Sequence, residues 1–361
     1  MDYKRRQNTL RNLLGTHRLD AVLITHLPNV RYLCGFTGSA GLLLATEKQC
    51  VFFTDGRYTE QANAEVEGAK IVIGQSSPLL LAAEWFKKHA KGKRWTVGVE
   101  PEHLNISSHK RLKDNLPSGM RLKFALPLVE NMRAIKDAEE IQLIRKAVNL
   151  GADVFERILK NIHPGIKEIE VAAEMEYLAH KSGASEMSFS TIIAGGARSA
   201  LPHGRASDAS LPTDGFVVCD FGVILAGYCS DETRTVALGR TSPEARHAYE
   251  AVKEAQQAAI EAIKPGVAFA APDDAGRKLL KKQDLAKYFT HSTGHGVGIE
   301  IHESPRLAAG QTEVFRPGMV VTIEPGVYLP GKFGVRIEDM ILVTESGCEV
   351  LTPTSKDLIE L

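Results

Sequence analysis

The chain has 361 residues, room for two domains of ordinary size, with 43% hydrophobic and 24% charged residues; that composition excludes a disordered or fibrous chain. Lys+Arg and Asp+Glu each total 44, so the formal charge is zero, and nothing in that balance recommends nucleic acid or an anionic membrane as a partner. The basic start, Met1-Asp-Tyr-Lys-Arg-Arg6, leads into no long apolar segment, which predicts neither a signal peptide nor a membrane anchor.

Residues 9–14 carry a helical pattern, and residues 20–25 form a short apolar run of the kind a buried strand shows. Residues 42–45 and 50–53 read as two strands around a polar turn, and residues 96–99 repeat the strand signal. That alternation predicts an α/β domain over residues 1–130 and a second domain over 131–361. Asp137 and Glu140, three places apart, make an N-cap and capping box for a helix whose buried face is Ile141, Ile144, Val148, Phe155 and Ile158. Five scattered cysteines, Cys34, Cys50, Cys219, Cys229 and Cys348, include no C-x-x-C pair. They predict reduced thiols in the cytoplasm and no thiolate zinc site.

The second domain repeats itself. Ile162-His-Pro-Gly165 returns as Ile263-Lys-Pro-Gly266, and Gly215-Phe-Val-Val218 returns as Gly318-Met-Val-Val321 at nearly the same offset. Each half leads to acids in apolar strand context. Asp220 ends the run Phe216-Val-Val-Cys219, and Asp231 follows at a distance that lets a hairpin bring it back alongside. Glu324 ends Met319-Val-Val-Thr-Ile323, and Glu338 lies inside Val335-Arg-Ile-Glu-Asp-Met-Ile341. Taken singly, such acids are turn or cap residues, or point to solvent. Together, four carboxylates in one cavity repel each other and take up protons unless cations neutralise them. His295, in Thr293-Gly-His-Gly-Val-Gly298, has small neighbours that let backbone and ligand approach closely. That segment lacks the spacing of a dinucleotide loop, and no H-E-x-x-H occurs. Mostly oxygen donors with one imidazole suit two divalent ions, manganese first, with cobalt, iron or zinc as alternatives.

At this point the chain resembles the proline-specific pita-bread metallopeptidases, Xaa-Pro dipeptidase (prolidase) and aminopeptidase P. In the second domain the resemblance rests on Leu201-Pro-His-Gly-Arg-Ala-Ser207, Asp220-Phe-Gly222, Ser230-Asp-Glu-Thr-Arg-Thr235, His291-Ser-Thr-Gly-His-Gly-Val-Gly298, Ile301-His-Glu303, Ile323-Glu-Pro-Gly326 and Val335-Arg-Ile-Glu-Asp339. In the first it rests on Pro28-Asn-Val-Arg-Tyr-Leu33, Gly35-Phe-Thr-Gly38 and Thr54-Asp-Gly-Arg-Tyr58.

The resemblance implies a creatinase-like α/β domain that helps cover the active site and forms oligomer contacts, followed by an α+β pita-bread catalytic domain, in a homodimer. It makes Asp220, Asp231, His295, Glu324 and Glu338 the metal ligands, with Asp231 and Glu338 bridging two ions and Glu324 also the general base. His302 matches the histidine that steadies the tetrahedral intermediate, and His203 the one near the substrate amine or scissile amide. His291, Tyr328 and Arg336 match residues that line the proline pocket. None of these positions departs from the family pattern, so an active enzyme is expected. The reaction implied is hydrolysis of the Xaa-Pro bond of dipeptides or short peptides, with the dipeptidase favoured over the aminopeptidase. A metal-free creatinase-type hydrolase and a non-catalytic binding protein are the remaining alternatives. Full retention of the ligands argues against both.

Overall fold

The computed structural model describes residues 1–90 and 92–361, which divide into two compact units, Met1–Arg133 and Ala134–Leu361. The first is built on a sheet of β1 (Ala21–Ile24), β2 (Gly41–Thr46), β3 (Cys50–Asp55), β4 (Lys70–Gly74), β5 (Thr96–Val99) and β6 (Arg121–Phe124), in the order β4-β3-β2-β1-β5-β6. β2 and β3 form the antiparallel hairpin expected around the polar turn. The pairs β3–β4 and β5–β6 are parallel, and such pairs need crossovers; short helices over Thr59–Glu65 and Ile106–Asn115 supply them. The helices of this unit are α1 (Tyr3–Thr16), α2 (Leu27–Cys34), α3 (Thr59–Glu65), α4 (Pro78–His89), α5 (Ile106–Asn115) and α6 (Leu128–Arg133). All four residues of the central strand β1 are buried, which is why its sequence reads as an unbroken apolar run. α1 extends beyond residues 9–14 at both ends: Asp2 caps it by accepting from the Arg5 N–H. Arg6 and Gln7 are buried polar residues that a hydrophobic pattern does not register.

The second unit opens with α7 (Ala138–Ile158), and its capping box is formed in both directions between Asp137 and Glu140. α8 (Glu168–Lys181) follows, then β7 (Glu186–Met187), β8 (Ile192–Gly195), β9 (Gly215–Phe221), β10 (Val223–Leu225), β11 (Tyr228–Cys229) and β12 (Glu232–Leu238). The second half holds α9 (Pro243–Glu261), α10 (Ala271–Lys282), β13 (Gly294–Gly296), β14 (Glu303–Leu307), β15 (Val320–Ile323), β16 (Gly326–Leu329), β17 (Phe333–Arg336), β18 (Asp339–Val343) and β19 (Cys348–Val350). The internal repeat is visible in the topology. Two helices lead to β8–β9–β12, all antiparallel, in one half, and two helices lead to β13–β15–β18, also antiparallel, in the other. Gly165 and Gly266, which close the two Pro-Gly motifs, both adopt positive φ, 86° and 81°.

Strand alternation divides each half into a core face and a second face. Val217, Cys219 and Phe221 of β9 pack with Val154, Phe155 and Ile158 of α7, so Asp220 is turned the other way. Val236 and Leu238 of β12 join that same cluster, which puts Thr233 on the opposite face. In the second half Val321, Ile323, Ile341 and Val343 pack with Ala259 and Ile260 of α9. Thr322, Glu324 and Glu338 fall on the alternate parity. All five cysteines are unpaired. Among the described residues no helix is long and apolar enough to cross a membrane.

Candidate metal centre

The two strand pairs deliver the acids. β9 and β12 pair Asp220 with Thr233, which places Asp231 just beyond the start of β12. β15 and β18 pair Ile323 with Asp339, so Glu324 and Glu338 are the next residues outward. Glu338 stands at a bend and not inside a continuous strand. At Ile337 the chain leaves β17, which pairs with β16, and enters β18, which pairs with β15. The bend frees Glu338 to bridge to Thr233: its N–H donates to the Thr233 carbonyl at 3.1 Å. The two halves of the repeat therefore meet at the acids.

Asp231, His295 and Glu338 each offer a ligand atom, all within 4.8 Å of one another. His295 Nε2 lies 3.6 Å from Asp231 Oδ2 and 3.4 Å from Glu324 Oε1. Asp220 is buried at the edge of this group and is paired with the Arg336 guanidinium. Asp231 and Glu338 are 4% and 2% exposed, too buried to be turn or cap residues on the surface. His295 is fixed in place: Thr322 Oγ1 accepts from its N–H at 3.1 Å, and its Nδ1 lies 3.1 Å from the Gly296 carbonyl. Its glycine neighbours permit a close approach. A Cβ on Gly294 would stand 1.9 Å from the Thr322 carbonyl oxygen, and one on Gly296 2.3 Å from that of Ser304.

The electrostatics are those of a cation site. Burial pushes the Asp231 carboxyl well above the usual range, and the carboxylates of Asp220 and Glu324 push it further. Glu338 is raised in the same way, by burial and then by Asp231, Glu324 and Asp220. Glu324 is pushed up to about 7 by burial, against the pull of Arg336. Burial brings His295 down to about 4, and His302 adds to the effect. Its imidazole is therefore neutral at pH 7, the form that ligates metals. Mutually repelling, desolvated carboxylates beside a neutral imidazole form a donor set that a divalent cation fits: it would remove the repulsion and occupy the lone pairs.

The remaining predicted residues lie around this group. The His302 ring is tilted over that of His295, with centroids 4.3 Å apart, and its outer side is exposed. His203 is exposed and close enough to influence His291 and His302. His291, Tyr328 and Arg336 form one hydrogen-bonded chain. The Tyr328 hydroxyl lies 2.9 Å from His291 Nε2 and accepts from Arg336 Nη1 at 2.6 Å.

Two threonines were not singled out from the sequence. Thr233 donates its hydroxyl to Glu338 Oε2 at 2.6 Å and accepts from Arg336 Nε at 3.2 Å. Thr322 links the His295 N–H to Glu324 Oε1, donating to the latter at 3.3 Å. The available signal was parity: Thr322 precedes Glu324 by two places, and Thr233 follows Asp231 by two, so each shares a face with its acid.

Residues 142–345 match the signature of Metallopeptidase family M24, and residues 6–135 that of the Creatinase/Prolidase N-terminal domain. The chain is 38% identical over 354 residues to a Xaa-Pro dipeptidase of Pyrococcus horikoshii, covering 96% of each. The solved structure of a Xaa-Pro dipeptidase from Bacillus anthracis superposes with a TM-score of 0.95 at 40% identity, over 100% of both chains. That of an X-Pro aminopeptidase from Thermotoga maritima gives 0.89 at 33% identity, over 97% of this chain and 100% of the other. The expected pairing of a creatinase-like α/β domain with a pita-bread catalytic domain is borne out by both signatures and by these superpositions.

Proposed function

The chain belongs to metallopeptidase family M24, and on that footing we infer that it is a metal-dependent Xaa-Pro dipeptidase, releasing proline from dipeptides. One observation carries the reading: ligand atoms of Asp231, His295 and Glu338 converge within 4.8 Å in a buried site crowded with carboxylates. The names of the relatives favour a dipeptidase over an aminopeptidase.

Asp220, Asp231, His295, Glu324 and Glu338 would hold two divalent ions, with Asp231 and Glu338 shared between them. Manganese is proposed first, with cobalt, iron or zinc as alternatives. When bound, such ions supply an activated water and polarise the scissile carbonyl. Glu324, the acid of the set on the His291 side, takes the proton from the attacking water and returns it to the imide nitrogen. His302, with one side exposed next to His295, donates to the oxyanion of the tetrahedral intermediate. His203 stands at the exposed edge to meet the substrate amine. The His291–Tyr328–Arg336 chain presents flat side chains to the proline ring, whose nitrogen brings no N–H that would need an acceptor. Unpaired thiols, four of them buried, support a reducing cytoplasmic setting. The balanced charge supports small peptides, and not nucleic acid or membrane, as partners. A homodimer is proposed on the family resemblance.

The test is hydrolysis of Ala-Pro and Ala-Pro-Ala side by side by the manganese-loaded chain. Cleavage of the dipeptide alone supports the reading, whereas preferential cleavage of the tripeptide replaces it with an aminopeptidase.

A further inference from the structure

Behind the acids lies a second charged group that the reaction does not use. Arg234 is 1% exposed and Asp339 is also 1% exposed, and they pair at 2.7 Å. Arg234 shares the core face of β12 with Val236 and Leu238, the face opposite Thr233. Asp339 shares parity with Ile341 and Val343, which pack toward α9, while Glu338 points the other way.

All five N–H groups of the Arg234 guanidinium are used. Nη1 donates to the Thr233 carbonyl at 2.9 Å and to the Glu338 carbonyl at 2.6 Å. Nη2 donates to Asp339 Oδ1 at 2.7 Å and to the Thr354 carbonyl at 2.8 Å, and Nε to the Ser355 carbonyl at 3.0 Å. The other oxygen of Asp339 accepts from Gln256 Nε2 at 2.8 Å. The same amide nitrogen lies 3.4 Å from the carbonyl of Ile323, the residue before Glu324. Four of these acceptors therefore lie at or within two residues of a site acid: Thr233 is two from Asp231, the Glu338 carbonyl belongs to Glu338 itself, Asp339 adjoins Glu338, and Ile323 adjoins Glu324, while the Thr354 and Ser355 carbonyls belong to the C-terminal segment.

We propose that Arg234 is a positioning residue which, with Asp339, sets the separation of the Asp231, Glu338 and Glu324 carboxylates and so the affinity and geometry of the metal centre. The proposal rests on the reading of those acids as ligands. Stability alone gives no reason for the pair, because a buried ion pair is often matched or exceeded by well-packed apolar residues of the same volume. A planar fork of five donors does what an apolar residue cannot: it holds acceptors from both halves of the repeat, and from the C-terminal segment, at fixed mutual distances. Groups that orient metal ligands from behind in this way are worth ~10–100-fold in metal affinity when removed.

Arg234→Lys keeps the charge and loses the fork, and Asp339→Asn keeps the shape and loses the charge. Each is made in the full chain, stripped of metal, and titrated with Co²⁺ by calorimetry and by visible absorption. Melting of the metal-free chain serves as the folding check. The expected result is Co²⁺ binding weakened ~10–100-fold with altered absorption bands in both variants. If Arg234→Lys does not fold, Asp339→Asn decides. Wild-type affinity and bands in the folded variants, whatever the change in melting temperature, overturn the positioning role. Asp231→Asn is run alongside to separate the two readings. If it binds Co²⁺ as wild type does, the assignment of the ligands fails and the proposal falls with it. If it binds weakly while the Arg234 and Asp339 variants bind normally, the positioning role alone is wrong.

Discussion

Arg336 is paired with Asp220 in the interior of the second unit, at 3% and 8% exposure, and its other nitrogens reach the Tyr328 hydroxyl, the Thr233 hydroxyl and the Pro202 carbonyl. In the metal-free chain this guanidinium is the cation that compensates the crowded carboxylates. Removing one member of a buried pair leaves the other charge uncompensated, at a cost of about 3–5 kcal/mol. Arg336→Met is therefore expected to lower the melting temperature of the metal-free chain markedly. Saturating Mn²⁺ should recover part of the loss, because the ion takes over the neutralisation. Equal melting of variant and wild type without metal would contradict this.

The Glu324 carboxyl gives a pH dependence with a definite sign. Its folded value of about 7 lies above the ordinary 4.5. The fold thus favours the protonated form, and that stabilisation is complete below about 4.5 and lost as the pH rises through 7. Glu324→Gln mimics the protonated form. Without metal it is expected to melt with wild type near pH 4.5 and above it beyond pH 7, by on the order of 3 kcal/mol. A difference that does not change with pH would rule this out.

The His302 ring lies tilted against that of His295, but His302 is not among the three residues whose donor atoms converge. His302→Ala is expected to leave the bound metal unchanged and to lower kcat by ~100–1,000-fold, as loss of an oxyanion donor does. Metal analysis and steady-state kinetics on one preparation check both halves; lost metal with unchanged kcat per bound ion would assign His302 to the wrong task.

Gly294 is required by contact. With a Cβ placed 1.9 Å from the Thr322 carbonyl oxygen, Gly294→Ala must push β13 away from β15 and break the His295 N–H bond to Thr322. Divalent-ion affinity should fall, while binding that matches wild type would show that the strands part without moving His295.

The sequence carried the strands and the acids because both follow local rules. The runs that became β1, β3 and β15 are apolar because their residues are buried, and the capping box at Asp137 is a contact between near neighbours. What stayed hidden depends on distant partners. Glu338 reads as one acid inside a strand, yet Ile337 marks the change from pairing with β16 to pairing with β15. Arg336 matches a pocket residue by its motif, but its ion pair with Asp220 spans 116 positions. Arg234 reads as an ordinary residue in Thr-Arg-Thr, because its five acceptors lie in three separate segments. Asn29 and Arg133, buried in the first unit, interrupt the apolar pattern for the same reason: each is bonded to a partner far along the chain.

The most direct measurement is proline release from Ala-Pro by chain stripped of metal and then titrated with Mn²⁺. Release should be absent in the stripped chain, rise with added ion, level off at two ions per chain, and vanish again on chelation. Release that needs no metal, or no release with both positions filled, would contradict the assignment of this site as a metal-dependent Xaa-Pro dipeptidase.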